Sequence, residues 1–369
     1  MKARSFAALA SELEDRFDAG VRAPWREADF NELAHAAFTL QFERIPAYRT
    51  LCERQGRTPK SVSRWHDVPA VPSAAMKALE LCAGDAERPE AIFLTSGTTQ
   101  GSDARGRHLV PRLDLYRRSL LPPFRAHVLA ARSRIRFISL IPSPAEQPDS
   151  SLSFMVGAAA DEHASAVHWL VDGGGRLDLD ALRTITRRAS HAREPVLLLG
   201  TALALLNALE RLEDEPLARL APGSRIMETG GFKGAGREVT RAELYERLAD
   251  ATGVPPVRIV SEYGMTELLS QLYEPVISEG PGAVGTHVPP PWLKVRALDP
   301  TTLDELAGGE EGILCFFDLA NAGSVCHLLT EDVGSVLNGR VRLAGRAAGA
   351  QPRGCSLAMD ELMSAAGSS

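Results

Sequence analysis

Lysine is scarce in this 369-residue chain. Of 41 lysines and arginines only Lys2, Lys60, Lys77, Lys233 and Lys294 are lysine, and none follows Lys294. The arginine bias itself carries no functional weight. Long apolar runs are missing as well: nothing approaches the ~18–20 consecutive apolar residues of a membrane span, so none is expected. Positive charge is not in excess. A net charge of −6 argues against a nucleic-acid partner. The five cysteines are scattered and show no C-x-x-C spacing. An odd set of that kind is neither a disulfide framework nor a zinc site, and a reducing cytoplasm is the expected compartment. The first twenty residues place Glu12, Glu14 and Asp15 inside their apolar pattern, so they do not read as a secretory signal. With 44% hydrophobic and 24% charged residues, composition excludes a disordered chain, collagen and a coiled coil.

What is present is an α/β pattern. Phe6, Leu9, Leu13 and Phe17 recur at helical spacing, and Phe30, Leu33, Ala37 and Leu40 follow it less cleanly. From residue 91 short apolar runs alternate with helices of ~10–15 residues, the signature of a parallel sheet. Strands are expected at 134–141, 195–200, 224–227 and 257–260, with helices at 113–131 (interrupted by Pro122-Pro123), 177–190, 201–212 and 238–251. After Trp292 the segments shorten into β structure at 292–298, 312–317, 324–329 and 340–343, and a short helix is expected at 357–363. The organisation expected is a helical start (1–90), an α/β part (91–290) and a β-rich part (291–343), all within one domain of residues 1–343. A tail, 344–369, follows it.

Three loops carry chemistry. Thr95-Ser96-Gly97-Thr98-Thr99-Gln100-Gly101 follows an apolar strand. Hydroxyls interleaved with glycine let backbone N–H groups converge on phosphate oxygens. Arg105, Arg107, His108 and Arg112 come next and are candidates for neutralising anionic charge. No lysine stands in the loop, so it is not a Walker-type loop. Ser261-Glu262-Tyr263-Gly264-Met265-Thr266-Glu267 also follows a strand, where open parallel sheets bind ligands. Tyr263 suits stacking on a base, Thr266 a phosphate and Glu267 a hard cation such as Mg²⁺. The same residues also suit a capping box opening a helix. Thr330-Glu331-Asp332-Val333-Gly334 offers a fixed carboxylate for ribose hydroxyls, or is a plain acidic turn.

In this order along the chain the three loops resemble the adenylate-forming superfamily, which activates carboxylic acids with ATP. The resemblance implies that superfamily's N-terminal-domain fold: mostly parallel sheets flanked by helices, plus a small β-rich part. It makes Thr95, Ser96, Gly97, Thr98, Thr99 and Gly101 phosphate-loop residues. Glu262, Tyr263, Gly264 and Thr266 become adenylate residues, Glu267 the Mg²⁺ ligand and Asp332 the ribose carboxylate. The turn Glu228-Thr229-Gly230-Gly231-Phe232-Lys233-Gly234 falls where the superfamily has its adenine-side turn, and Arg346 where it has a hinge Gly-Arg. Two departures stand out. The usual Pro-Lys after the phosphate loop is replaced by Gly101-Ser102-Asp103-Ala104-Arg105, and only 23 residues follow Arg346, without a lysine. The large lid and its catalytic lysine are therefore expected to be absent.

A short adenylating domain with a small tail resembles the LuxE-type acyl-protein synthetases. Ile141-Pro142-Ser143, Asp149-Ser150-Ser151-Leu152 and Arg353-Gly354-Cys355-Ser356-Leu357 add to that likeness. It implies adenylation of a fatty acid, transfer to Cys355 and delivery to an acyl-protein reductase or other acceptor. Cys355 stands just before the expected helix, where the helix N-terminus and Arg353 favour the thiolate. The alternatives are a ligase delivering acyl-AMP to CoA or a carrier protein, and a non-catalytic adenylate-binding scaffold. Cys52, Cys82, Cys315 and Cys326 lie within apolar patterns and read as core, as do His168 and His327.

Overall fold

The structure is a computed structural model and describes residues 4–23, 25–95, 105–130, 132–212, 216–231, 239–346 and 353–367. Helices α1 (Phe6–Asp18), α2 (Glu27–Arg44) and α3 (Pro46–Arg54) open the chain. A two-residue strand β1 (Val71–Pro72), strands β2 (Ala91–Leu94) and β3 (Arg107–Val110) and helix α4 (Leu113–Phe124) follow. Strands and helices then alternate: β4 (Ile135–Ser139), α5 (Ser151–His163), β5 (Ala164–Trp169), α6 (Leu179–His191), β6 (Val196–Thr201) and α7 (Ala202–Arg211). The alternation continues with β7 (Arg225–Thr229), α8 (Arg241–Thr252), β8 (Ile259–Tyr263), β9 (Leu272–Tyr273) and α9 (Val276–Glu279). The last part holds β10 (Leu293–Leu298), β11 (Glu311–Asp318), β12 (His327–Leu337), β13 (Arg340–Arg346) and α10 (Arg353–Ala366).

The chain forms two compact units. The first is assembled from Met1–Pro122, Met265–Gln271 and Val288–Ser369. Its main sheet runs β1-β12-β11-β10, with β13 also paired to β12; β1 lies parallel to β12 and the other pairs are antiparallel. Ser5 caps α1 by accepting from the Ala8 N–H at 3.3 Å, and the helix buries Leu9, Leu13 and Phe17 completely. Phe17 meets Trp292 with ring centroids 4.6 Å apart. The expected 3.6-residue periodicity is thus the buried stripe of α1.

The second unit is Pro123–Gly264 with Leu272–His287. Its sheet has the order β5-β4-β6-β7-β8-β9, parallel except for β9. The chain steps outward from β4 to β5 and returns on the other side of β4 as β6, so the connection changes direction between β4 and β6. Crevices open at the carboxyl ends of strands at such a point. The core of this unit packs Ile138, Leu198, Leu206, Ile226, Leu244 and Ile259 between the sheet and its helices.

The expected α/β alternation is present, with two differences. Pro122 and Pro123 do not interrupt the helix over 113–131; α4 continues through them and then widens into a π turn, Arg125–Leu129. Each proline removes one N–H donor from the helix, and the wider turn follows them, closed by Ala130 N donating to Arg125 O at 2.9 Å. The expected helix 357–363 is the middle of a longer one, Arg353–Ala366, which packs against α3 and β1 in the first unit.

Candidate active site

In the first unit, β2 and β3 pair antiparallel, and Thr95 closes their ladder. Its N–H donates to Gly106 O at 2.9 Å and its hydroxyl accepts from Gly106 N at 2.7 Å. Arg105 Nε donates to Thr95 O at 2.8 Å. A Cβ on Gly106 would lie 3.1 Å from the Thr95 side chain and 3.3 Å from the Met76 backbone, so only glycine fits without displacement. Ser96, Gly97, Thr98, Thr99 and Gly101 lie outside the described residues. The cations after the loop are largely committed elsewhere. Arg107 pairs with Glu80 at 2.6 Å and Arg112 with Glu14 at 2.6 Å. His108 is fully buried, and desolvation pushes it down to about 4, so its imidazole is neutral at pH 7. It supplies position rather than charge: Nδ1 lies 2.7 Å from Thr266 O, the geometry of an N–H donating to a carbonyl.

Thr266 and Glu267 sit on a turn, with Leu268 N donating to Met265 O at 3.1 Å, and no helix follows. The capping-box alternative therefore fails. Asn321 donates to Glu267 O at 2.7 Å, and Asp318 accepts from Leu269 N at 3.0 Å and from the Ser270 hydroxyl at 2.7 Å. Glu267 keeps part of its surface in solvent, yet the surrounding protein desolvates its carboxyl and pushes it up to about 7. Arg346 and Lys77 act in the opposite direction, while Asp332 adds to the rise. Asp332 is buried and paired with Arg346 Nε at 3.2 Å across the β12–β13 ladder. A bulge presents it. Between the pairs Ile313↔Val333 and Cys315↔Leu329, β11 advances two residues while β12 advances four. Such irregularities re-aim side chains. Thr266, Glu267, Asp332 and Arg346 are thus drawn into one neighbourhood, and Thr95 is tied to it through β3.

Gly230, Gly231, Glu262, Tyr263 and Gly264 belong to the second unit. There β7 and β8 run parallel with Thr229 beside Glu262, so the Gly230-Gly231 turn and Tyr263 leave adjacent strand ends. Gly230 has φ +74°, the left-handed region that favours glycine, and among the described residues nothing lies within 4 Å of its Cβ position. Glu262 is buried and pushed up to about 7 by desolvation; its carboxylate accepts from the Thr229 hydroxyl. Behind it lies a network that the sequence did not announce. The Tyr245 hydroxyl donates to Glu228 at 2.9 Å, Arg241 pairs with Glu274, and Glu274 accepts from Gly285 N at 2.6 Å. His287 Nε2 lies 3.2 Å from the Ser261 hydroxyl, and burial pushes it down to about 3.

Cys355 is 1% exposed. It lies in the first turn of α10, packed with Leu298, Ile313, Cys315 and Leu329, and its thiol donates to Thr330 O at 3.5 Å. The expected thiolate-favouring environment is not what this packing provides: desolvation outweighs the helix terminus, and the thiol is pushed up to about 11. Cys52, Cys82, Cys315 and Cys326 are free and buried, as expected of core residues. His168 contacts Arg136 at 2.9 Å and His327 contacts Val68 O at 2.6 Å, both structural roles.

Among the described residues no group of three or more His, Cys, Asp or Glu is placed to hold a metal, and no helix is long and apolar enough to cross a membrane.

The profile of the acyl-protein synthetase family LuxE matches residues 24–364. The long-chain-fatty-acid–luciferin-component ligase of Vibrio harveyi is 23% identical over 381 residues, covering 97% of this chain and 95% of that protein. The protein of the same name from Aliivibrio fischeri is 22% identical, over 89% and 87% of the two chains. A crystal structure of 2-hydroxyisobutyryl-CoA ligase superposes with TM-score 0.60 at 14% identity, over 89% of this chain and 76% of that one. The fold is that of the adenylate-forming enzymes, and the chain belongs to the LuxE acyl-protein synthetase family.

Proposed function

We propose that this chain, as a LuxE-type synthetase, converts a fatty acid and ATP to acyl-AMP and pyrophosphate. It then takes the acyl group onto Cys355 and passes it to an acyl-protein reductase or another acceptor protein. The acid's carboxylate oxygen bonds to the α-phosphorus as the bond to the bridging β-oxygen breaks. The Cys355 sulfur next bonds to the acyl carbon, its proton passes to water, and AMP departs.

The observation that carries this reading is the placement of Glu267. It is a desolvated carboxylate that makes no ion pair among the described residues, beside an Asp332–Arg346 pair presented by a bulge. Mg²⁺ bound by Glu267 would neutralise charge on the phosphates, and a magnesium ion commonly takes one carboxylate and completes its shell with phosphate oxygens and water. In this reading Thr266, whose main-chain carbonyl is held by His108, bonds a phosphate. In this reading Asp332, oriented by Arg346, accepts from ribose hydroxyls, and Tyr263, at the end of β8, stacks on adenine. Glu262, buried, accepts from the hydroxyl of Thr229, the residue before the Gly230-Gly231 turn. An aliphatic substrate is supported by a cavity of about 490 Å³ in the second unit, lined in part by Leu140, Ile141, Leu152, Leu177 and Leu203. It lies where the connection changes direction between β4 and β6, the position at which open α/β sheets bind ligands.

The burial of Cys355 favours a second reading, in which acyl-AMP is delivered to CoA or a carrier protein and Cys355 is core. The test uses Mg·ATP with a panel of radiolabelled fatty acids. Label retained on the denatured protein, released by neutral hydroxylamine and lost in Cys355→Ser establishes self-acylation. AMP formation without protein-bound label establishes the second reading.

A further inference from the structure

We propose that Lys77 is a catalytic residue of the adenylation step, its ammonium meeting the negative charge shared by the acid carboxylate and the α-phosphate. This rests on the acid-activating reading above and names a residue which that reading leaves open.

Adenylation brings a carboxylate against a triphosphate, and a fixed cation at the point of contact stabilises the charge that builds there. The nearby arginines are committed: Arg346 to Asp332, Arg107 to Glu80 and Arg105 to the Thr95 carbonyl. Lysine is scarce; Lys2 and Lys233 lie outside the described residues, and Lys294 pairs with Glu27 at 3.3 Å. Lys77 differs from all of these. It is exposed and makes no ion pair among the described residues.

Its backbone is nevertheless held firmly. Lys77 ends the 3₁₀ turn Ser73–Lys77, in which Ala75 and Met76 are buried. The next two residues continue the wrap, with Ala78 N and Leu79 N both donating to Ala75 O at 3.0 and 2.9 Å. The turn packs on β12, the strand whose bulge presents Asp332, and on β3, which carries His108. Met76 touches the same point as Thr95: both crowd the Cβ position of Gly106. Lys77 therefore follows directly on the residue that abuts the hairpin end from which the Thr/Ser/Gly loop departs. A rigid base between the strands that carry His108 and Asp332, and an ammonium that makes no ion pair among the described residues, describe a point charge awaiting phosphate.

The experiment compares wild type with Lys77→Ala and Lys77→Arg, using Lys60→Ala as a control for an exposed lysine. The first readout is fatty-acid-dependent ATP–pyrophosphate exchange. Lys77→Ala is expected to lower kcat by about 10²–10³-fold, as loss of one charge-stabilising donor does. Lys77→Arg should restore part of that loss, Lys60→Ala should match wild type, and melting temperatures should agree. The second readout needs no turnover: wild-type protein is acetylated with an amine-reactive ester, with and without a fatty acyl sulfamoyl adenosine, and the lysines are mapped by mass spectrometry. Protection of Lys77 but not Lys60 is expected. Exchange by Lys77→Ala equal to wild type, or acetylation of Lys77 unchanged by bound analogue, overturns the assignment while leaving acid activation in place. Wild-type protein that neither exchanges nor binds the analogue overturns the parent reading and this one with it. If Lys77→Ala fails to fold, the protection experiment on wild type still decides.

Discussion

The two units differ in how one desolvated carboxylate is answered. In the second, Glu228 has the Tyr245 hydroxyl, Glu274 has Arg241 and Glu262 has the Thr229 hydroxyl. Each is desolvated, and each is answered by a protein group. The first unit does the same for Asp318, which is fully buried and accepts from Ser270, Leu269 and Ala320. Glu267 is the exception. It makes no ion pair among the described residues: Arg346, which lowers it, is engaged by Asp332, a like charge that adds to its rise. A compensated carboxylate holds a fold together, and an uncompensated one costs stability unless something else binds it. The contrast separates a framework, in the second unit, from a site prepared for a cation and phosphates, in the first.

The largest effect should come from neutralising the exception. Glu267→Gln should lower fatty-acid-dependent pyrophosphate exchange by about 10²–10³-fold while leaving the melting temperature unchanged or raised. A matched loss of stability and exchange would place Glu267 with the framework carboxylates and erase the contrast. Next comes Arg241→Met, which leaves Glu274 buried without its cation. Denaturant unfolding should show a loss of about 3 kcal/mol, the low end for breaking a buried pair, because Arg241 is partly exposed. Exchange should fall only in proportion to the protein unfolded. A variant that stays stable yet loses exchange would move Arg241 into the chemistry.

The third effect is a pH dependence. His287 is neutral in the fold because burial and the neighbouring Arg241 push it down to about 3. Its folded value lies below its unfolded value near 6.5, so the unfolded chain binds the extra proton first and stability falls as pH drops below 6.5. Between pH 6.5 and 5 the loss amounts to about 2 kcal/mol from this one group. His287→Gln should remove that part of the acid sensitivity, seen as a flatter curve of melting temperature against pH. An unchanged curve would show that His287 is not sealed as the packing with Ser261 indicates.

Much of this arrangement was legible in local pattern. The strands at 134–141, 195–200, 224–227 and 257–260 are buried apolar runs, several of them closed by glycine or proline, and their parallel pairing follows from the helices between them. Asp332 was legible as a loop acid, but its bulge was not, because two extra residues in β12 count only against β11. The network of Glu228, Arg241, Tyr245, Glu274 and His287 left no mark. Its members are up to about 60 positions apart in the chain and are joined only by the ends of β7 and β8. Cys355 shows the same limit. A residue just before a helix and a residue inside its first turn look alike in sequence, and only docking of α10 places the thiol among Leu298, Ile313 and Leu329.

That docking gives the smallest effect, and it tests whether the first unit exposes Cys355 by local opening. Toward its C-terminal end α10 is held by Arg54 donating to the Ser364 hydroxyl at 2.9 Å and by Gln55 donating to Glu361 at 2.9 Å, both at the surface. Its first turn is held more tightly, with Gly354 N donating to Pro300 O at 2.9 Å and Leu303 crowding the Gly354 Cβ position. An exposed hydrogen bond contributes about 1 kcal/mol, so Arg54→Ala should raise the open population roughly fivefold. The readout is the rate of Cys355 alkylation, followed peptide by peptide, with Cys315 as the internal standard because it lies in the sheet rather than on the helix. A fivefold rise at Cys355 alone means that the helix lifts as a unit and brings the thiol out for acyl transfer. Equal rises at Cys355 and Cys315 mean that the thiol is reached only when the sheet itself opens. Cys355 would then belong with the core cysteines, and delivery of acyl-AMP to an external acceptor would be the better account of this chain.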